Sequence, residues 1–137
     1  MQKTFTILKP DTVKAGKAGG VINELEKAGF RICAAKMLHL SEKQAQGFYH
    51  VHKERPFFGS LVKFMTEGPI IAMVLESDNA IEKLRKTMGA TDPAKAEAGT
   101  IRKQFGSNIE RNAIHGSDGP DTAAFEISYL FNQLEIV

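Results

Sequence analysis

One cysteine, Cys33, is all that the chain's 137 residues contain. That scarcity excludes an internal disulfide framework and a zinc site built on several thiolates. Cys33 sits in the apolar run FRICAAKMLHL and reads as a small packed thiol. Long apolar runs are lacking too: none approaches the roughly 20 residues a helix needs to cross a bilayer. The opening segment, MQKTFTILKPD, has neither a basic stretch followed by an apolar one nor an Arg-rich transit pattern. A cytoplasmic protein with no membrane partner is therefore expected. Charge of one sign is scarce: eighteen Lys and Arg face sixteen Asp and Glu, a formal +2. That excess is too small for a general nucleic-acid or membrane surface. No dedicated nucleic-acid site is expected, and any anion site has to be a local gathering of cations. The run GKAGG, Gly16 to Gly20, lacks Walker A spacing, and no glycine-rich dinucleotide fingerprint occurs. Repeats, low-complexity tracts and linker-like shifts are absent as well. With 42% hydrophobic and 25% charged residues, the chain reads as a single globular domain over residues 1–137.

What is present is an alternation of strand and helix patterns. Thr4 to Leu8 reads as a first strand, ended at Lys9-Pro10-Asp11 because Pro10 removes a ladder donor. Val21, Ile22, Leu25 and Ala28 recur at helical spacing, with Gly29 as the stop. Phe30 to Leu40 predicts a long strand. Ser41 is a plausible N-cap for a helix over EKQAQGFYHVH, its hydroxyl accepting from a free N–H of the first turn. FFGSLVKFMTE predicts a short helix ending at Gly68-Pro69, and the nearly all-apolar IIAMVLE a central strand. Ile81, Leu84 and Met88 share one helix face, with Gly89 as C-cap. From Ala90 to Asn112 runs a long irregular segment with one helical turn near Thr100 to Gln104; loops of that length are more often functional than idle. AIH predicts a last short strand and DTAAFEISYLF a last helix. This order, with right-handed crossovers and one apolar sheet face, predicts an α/β protein of the α+β kind. The expected architecture is a ferredoxin-like split βαβ sandwich, a four-stranded antiparallel sheet covered by helices.

Chemistry has few places to reside. Lys9 ends the first strand, Arg85 lies near the end of the helix from Asn79 to Met88, Thr91 follows it, and Arg102 sits in the long loop. Singly, each reads as a solvated charge or a cap; converging on one cleft, they would clamp a polyphosphate. Of four histidines, His39, His50 and His52 need no function, since His50 and His52 stand two apart and do not share a helix face. His115 differs by context, NAIHGSDGP, among small and turn-forming residues. A neutral imidazole is a competent nucleophile toward phosphorus when one ring nitrogen is exposed and the other is fixed by an acceptor. Glu126, on the last predicted helix, is placed to be that acceptor. Gly119 suits the N-cap of that helix and Pro120 its first turn, which leaves Gly116 and Ser117 to offer backbone donors near a phosphate.

Several segments together carry a family resemblance: ILKPD, KAGF with KMLHLS, HKERPFFGSLVKFMTEGPI, VLE, MGATDPAKAEAGTIR and NAIHGSD. The chain resembles a nucleoside diphosphate kinase from end to end. The resemblance implies that His115 accepts the terminal phosphate of a nucleoside triphosphate, mainly ATP. It would then pass that phosphate to a ribo- or deoxyribonucleoside diphosphate of any base, maintaining triphosphate pools. It further implies that Lys9, Arg85, Thr91 and Arg102 hold phosphates and that Asn112, with Lys9, meets the ribose hydroxyls. Phe57 would stack on the base, flanked by Leu61, while Tyr49, Glu126 and Ser117 support the imidazole. Mg2+ is the implied cofactor, held mainly by the nucleotide's phosphates with little protein ligation. A homo-oligomer is implied, a hexamer in preference to a tetramer, with Pro93 matching a position at the trimer contact. One departure stands out: members usually read HGSDS where this chain has HGSDGP, a loss of a few tenths of a kcal/mol for glycine at the cap. Two other readings, a non-enzymatic ferredoxin-like module and a phosphohistidine relay to another protein, fit less well. The strands here are buried aliphatic runs, with no exposed aromatics flanked by basic residues.

Overall fold

In the computed structural model, which describes all 137 residues, strand β1 (Gln2–Leu8) lies inside a four-stranded sheet of order β2-β3-β1-β4. It pairs antiparallel with β3 (Ile70–Ser77) on one side and with β4 (Ile114–Gly116) on the other. Strand β2 (Arg31–Leu38) pairs antiparallel with β3, with a register irregularity between Ile32 and Ala34. IIAMVLE is a central strand, as its continuous apolar character predicts. The connections are made by helices α1 (Pro10–Lys14), α2 (Ala18–Lys27), α3 (Glu42–Phe48), α4 (Phe58–Met65), α5 (Ala80–Met88), α6 (Ile101–Phe105) and α7 (Pro120–Leu130).

Both faces of the sheet are covered, where the sequence pattern suggested one apolar face. Phe5 and Ile7 join Phe48, Val62, Phe64 and Phe131 in one core, beneath α3, α4 and α7. Leu8, Met73 and Leu75 join Val21, Leu25, Leu84 and Ile101 in a second core, beneath α2, α5 and α6. Alternation along β1 divides its side chains between the two cores, so Thr4 to Leu8 are all buried. Even the threonines on this strand carry no solvent exposure, and Thr6 Oγ1 donates to the His115 carbonyl at 2.7 Å.

Local signals explain most element ends. Ser41 Oγ accepts from the Gln44 N–H at 3.1 Å while Gln44 Oε1 accepts from the Ser41 N–H at 2.8 Å, a reciprocal cap. The helix it starts stops at Phe48, and His50–His52 form a separate 3-10 turn. Pro10, read as a strand terminator, also opens α1, because proline at a first helical position loses no hydrogen bond. Gly89 ends α5 at φ +89°, a backbone value that suits glycine. In the long loop, Pro93–Lys95 form a 3-10 turn and α6 begins at the predicted turn.

Gly116 marks the closest approach of α5 to the sheet. A Cβ there would meet Leu84 Cδ2, Met88 Cε and Met88 Sδ, all at 2.9 Å. Overpacking of this kind typically costs about 1–3 kcal/mol. Gly116→Ala is therefore expected to lower the unfolding free energy by about that amount in urea titration at unchanged slope, and a variant as stable as the parent would show that the helix yields freely.

Candidate active site

The segment before His115 folds on itself. Ala113 takes φ +75°, and the Ile114 N–H donates to the Asn112 carbonyl at 2.9 Å, closing a three-residue γ-turn. A left-handed backbone costs a non-glycine residue roughly 1–2 kcal/mol, so neighbours have to hold it. They do so from the start of the chain. Asp11 Oδ2 accepts from the Ala113 N–H at 3.0 Å, and the Ala113 carbonyl accepts from the Lys9 N–H and Thr12 Oγ1, both at 2.9 Å. The Lys9-Pro10-Asp11-Thr12 segment thus clamps the turn and brings Lys9 to Asn112, where Lys9 Nζ donates to Asn112 Oδ1 at 2.8 Å.

His115 stands opposite Ile7 in the β1–β4 ladder. Its ring is walled edge-on by Phe48, Tyr49 and Phe5, with centroids 5.5, 6.1 and 6.3 Å away. Glu126 Oε1 lies 2.8 Å from Nε2 and also accepts from Ser117 Oγ at 2.7 Å. An ionised carboxylate only accepts, so Nε2 carries the ring proton and Nδ1 keeps its lone pair. Ser117 contributes through its hydroxyl alone. Its backbone N–H donates to the Phe5 carbonyl at 3.1 Å, so the expectation of a phosphate-facing donor there is corrected: β4 spends it on the sheet. Gly116 likewise serves close packing.

Two cations nearby are unusually dry. Lys9 is 7% exposed and Arg102 8%. Burial, and then the charge of Arg102, lower the Lys9 pKa from 10.5 to about 8. Burial, and then Arg85, lower that of Arg102 to about 10. Arg102 donates to the carbonyls of Gly89 and Ile114 at 3.2 and 2.9 Å, while its Nε is buried without a partner. Neither cation is hydrogen-bonded to a carboxylate, although Asp11 and Glu110 offset part of the shift at Lys9 and Asp118 part of that at Arg102.

A cleft of about 380 Å³ collects most of the residues singled out in the sequence. Lys9, Thr91, Arg102, Asn112 and His115 line it, as do Tyr49, Phe57 and Leu61. Tyr49 Oη is buried there without a hydrogen-bond partner, and burial raises its pKa. Phe57 is 46% exposed, an open aromatic face. Glu126 and Ser117 stand behind His115 and do not line the cleft, and Arg85 does not line it either. The Arg85 side chain is half exposed and bonded to Asp118 Oδ1 at 2.7 Å. A larger open hollow of about 690 Å³, over α5 and the loop after it, includes Arg85 but none of the groups around His115. Burial, orphaned polar atoms and aromatic walls mark the smaller cleft as the site.

Three lining residues escaped the sequence reading: His52, Ile109 and Glu110. His52, set aside as needing no function, lies between Tyr49 and Phe57, with ring centroids 6.5 and 5.5 Å away. Only the break of α3 at Phe48 turns it inward. Ile109 did carry a signal, as the one large apolar residue in the polar run GSNIERN, and it is 65% exposed.

Cations held this dry call for a ligand rich in anionic oxygen, and a phosphate chain meets that need through charge-assisted hydrogen bonds. Fold and cleft together define a phosphotransferase. A family profile described as nucleoside diphosphate kinase matches residues 2–136. A nucleoside diphosphate kinase of Trichlorobacter lovleyi is 57% identical over 137 residues, covering 100% of this chain and 99% of the relative. That of Geobacter sulfurreducens is 55% identical and covers 100% of both. The solved structure of the Aquifex aeolicus nucleoside diphosphate kinase superposes with a TM-score of 0.97 at 43% identity, over 99% of each chain. The Halobacterium salinarum enzyme, solved in complex with CDP, gives a TM-score of 0.95 at 39% identity, over 99% of this chain and 91% of that one. The chain belongs to the nucleoside diphosphate kinase family, and its activity is phosphate transfer between nucleotides.

The depressed pKa of Lys9 makes a measurable statement about stability. The unfolded chain keeps that proton up to about pH 10.5, whereas folded Lys9 releases it near 8. Between those values the unfolded state binds more protons, so stability rises with pH, by about 3 kcal/mol in total. Lys9→Met removes this contribution. The stability difference, parent minus variant, is expected to grow by that order between pH 8 and 10.5 in urea titrations, and a flat difference would place the Lys9 charge in a wetter setting.

Proposed function

We propose that the protein moves the terminal phosphate of a nucleoside triphosphate, mainly ATP, to nucleoside diphosphates through a phosphohistidine at His115 Nδ1. The observation that carries this reading is the fixed ring. Glu126 engages Nε2 at 2.8 Å, and Nδ1 is the nitrogen left free beside the cleft that Lys9 and Arg102 share. The Nδ1 lone pair bonds the γ-phosphorus as the bond to the β–γ bridging oxygen breaks and the diphosphate leaves. No proton has to move, because Nε2 already carries one, and Glu126 balances the positive charge that the ring acquires. A second diphosphate, entering the same cleft, takes the phosphate by the reverse displacement.

Transfer between phosphates depends on alignment and charge neutralisation more than on acid or base. Lys9, Arg102 and Thr91 are assigned to the phosphates. Arg85 joins them by leaving Asp118, a surface pair of the kind worth about 0–1 kcal/mol, so the exchange costs little. Lys9 and Asn112 are assigned to the ribose hydroxyls and Tyr49 to the support of the imidazole, against which it packs edge-on. Phe57 and Leu61 are assigned to the base. A stack on an aromatic face contributes alike for every base, which supports acceptance of purine and pyrimidine, ribo- and deoxyribonucleotides.

Magnesium is the proposed cofactor. No group of His, Cys, Asp and Glu forms a metal cage, and Glu110 is the one acid lining the cleft. The donor set therefore fits an ion held by phosphate oxygens and water, which when bound would neutralise charge on the transferring group. A cytoplasmic homo-oligomer, a hexamer in preference to a tetramer, is proposed from the resemblance; Pro93 is buried within the subunit, and its loop supplies the outward surface.

Incubation with γ-labelled ATP is expected to leave an acid-labile, alkali-stable label on the protein that chases onto added diphosphate. His115→Ala should lose both label and turnover while it keeps the parent fold and nucleotide binding. Full activity in that variant would remove the nucleophile from His115, and a label that moved only to proteins would favour a relay. Phe57→Ala is expected to weaken all nucleotides alike, by about 1–3 kcal/mol in titration calorimetry. A loss confined to one base would contradict stacking as the role of Phe57.

A further inference from the structure

The one acid in the cleft, Glu110, has no part in the reaction described above. A carboxylate beside the phosphates would add charge of the wrong sign. Its charge is felt at Lys9, but its attachments tie it to α4. Glu110 directly follows Ile109, and its Oε2 accepts from Ser60 Oγ at 2.8 Å. Ser60 lies on α4, next to Leu61 and one turn beyond Phe57. The carboxylate is thus tied to the apolar wall made by Phe57, Leu61 and Ile109, whereas Arg102 is fixed at the carbonyls of Gly89 and Ile114. Ser60 is the one hydrogen-bond partner of this carboxylate, which leaves Oε1 free. An ionised carboxylate can only accept.

Resting on the nucleotide-kinase reading, we propose that Glu110 sets a base preference. Its carboxylate accepts from the donor-bearing edge of a base lying against Phe57 and Ile109, which favours guanine and disfavours uracil and thymine. Guanine offers N1–H and the N2 amine side by side, a match for two carboxylate oxygens. Adenine and cytosine each offer one exocyclic amine. Uracil and thymine offer only N3–H between two carbonyl oxygens, and those repel a carboxylate. Stacking on Phe57 is common to all bases, and the carboxylate superimposes a difference on it.

The test is a set of initial rates with ATP as donor and GDP, CDP, UDP, dGDP or dTDP as acceptor. In the parent, kcat/KM for GDP should exceed that for UDP by about ten- to a hundredfold, the range of one hydrogen bond to a charged group against a mismatched edge. In Glu110→Gln and Glu110→Ala that ratio should fall toward one, by loss for GDP and gain for UDP. The dGDP to dTDP ratio should follow it. Ser60→Ala, which frees the carboxylate without removing it, should keep the order of preference. A ratio near one in the parent, or one unchanged in both Glu110 variants, overturns the proposal. An equal loss for every acceptor would reduce Glu110 to a fastening between the loop and α4. A loss that separates ribo- from deoxyribonucleotides would move its partner to the sugar. Failure of the parent to phosphorylate any diphosphate would be a different result, removing the proposed function and this preference with it.

Discussion

A hydrogen bond from the Ala113 N–H to Asp11 Oδ2, 3.0 Å long, joins positions 102 residues apart in sequence. Around it the chain accepts a left-handed alanine, buries a lysine and closes a γ-turn immediately before the β4 strand. None of these is favourable alone. Together they hold Lys9, Asn112 and His115 in one small volume, although the first directly follows β1, the second ends the long loop and the third lies on β4. The strain is local, and its supports come from the segment that also supplies the cation.

The same geometry explains why the site is electrostatically costly. Burial lowers the proton affinity of both cations, Arg102 lowers that of Lys9 further and Arg85 that of Arg102, while the nearby carboxylates direct their hydrogen bonds elsewhere. Asp11 holds a backbone N–H, Glu126 the imidazole and Ser117, and Glu110 the Ser60 hydroxyl. A fully neutralised pair would stabilise the free protein and leave little affinity for phosphate. Arg85, exposed and paired with Asp118, is the member of the proposed cation set that stands outside the cleft. On the proposed reading, two dry charges would position the phosphates and an exposed one would join them on binding.

Much of this was legible in the residues. The Ser41 cap, the Gly89 stop, the all-apolar β3 and the helix face of Ile81, Leu84 and Met88 follow from periodicity and capping chemistry, and the structure contains each of them. Pro10 marked the end of β1 correctly, but the helix it opens went unread, because one residue can end a strand and start a helix. The burial of both sheet faces was hidden because β1, with Thr4 and Thr6 alternating with Phe5 and Ile7, reads as a half-solvated strand, although the apolar run of β3 pointed to it. In the site, motif resemblance named eight of the eleven residues that line the cleft, yet it could not say which imidazole nitrogen is held. That depends on α7 packing Glu126 against β4, a contact with no local pattern. His52 was missed for a similar reason: its direction is set by a helix break that composition does not announce.

Strand β1 is buried on both faces and pairs only with segments that come much later, Ile70–Ser77 and Ile114–Gly116. During synthesis it leaves the ribosome first and waits for both neighbours. At about 5–20 residues per second, its second edge stays open for roughly 5–20 seconds after it emerges. A strand buried on both faces is thus also the one longest without a partner, which makes early shelter by a nascent-chain chaperone a sensible companion to this topology.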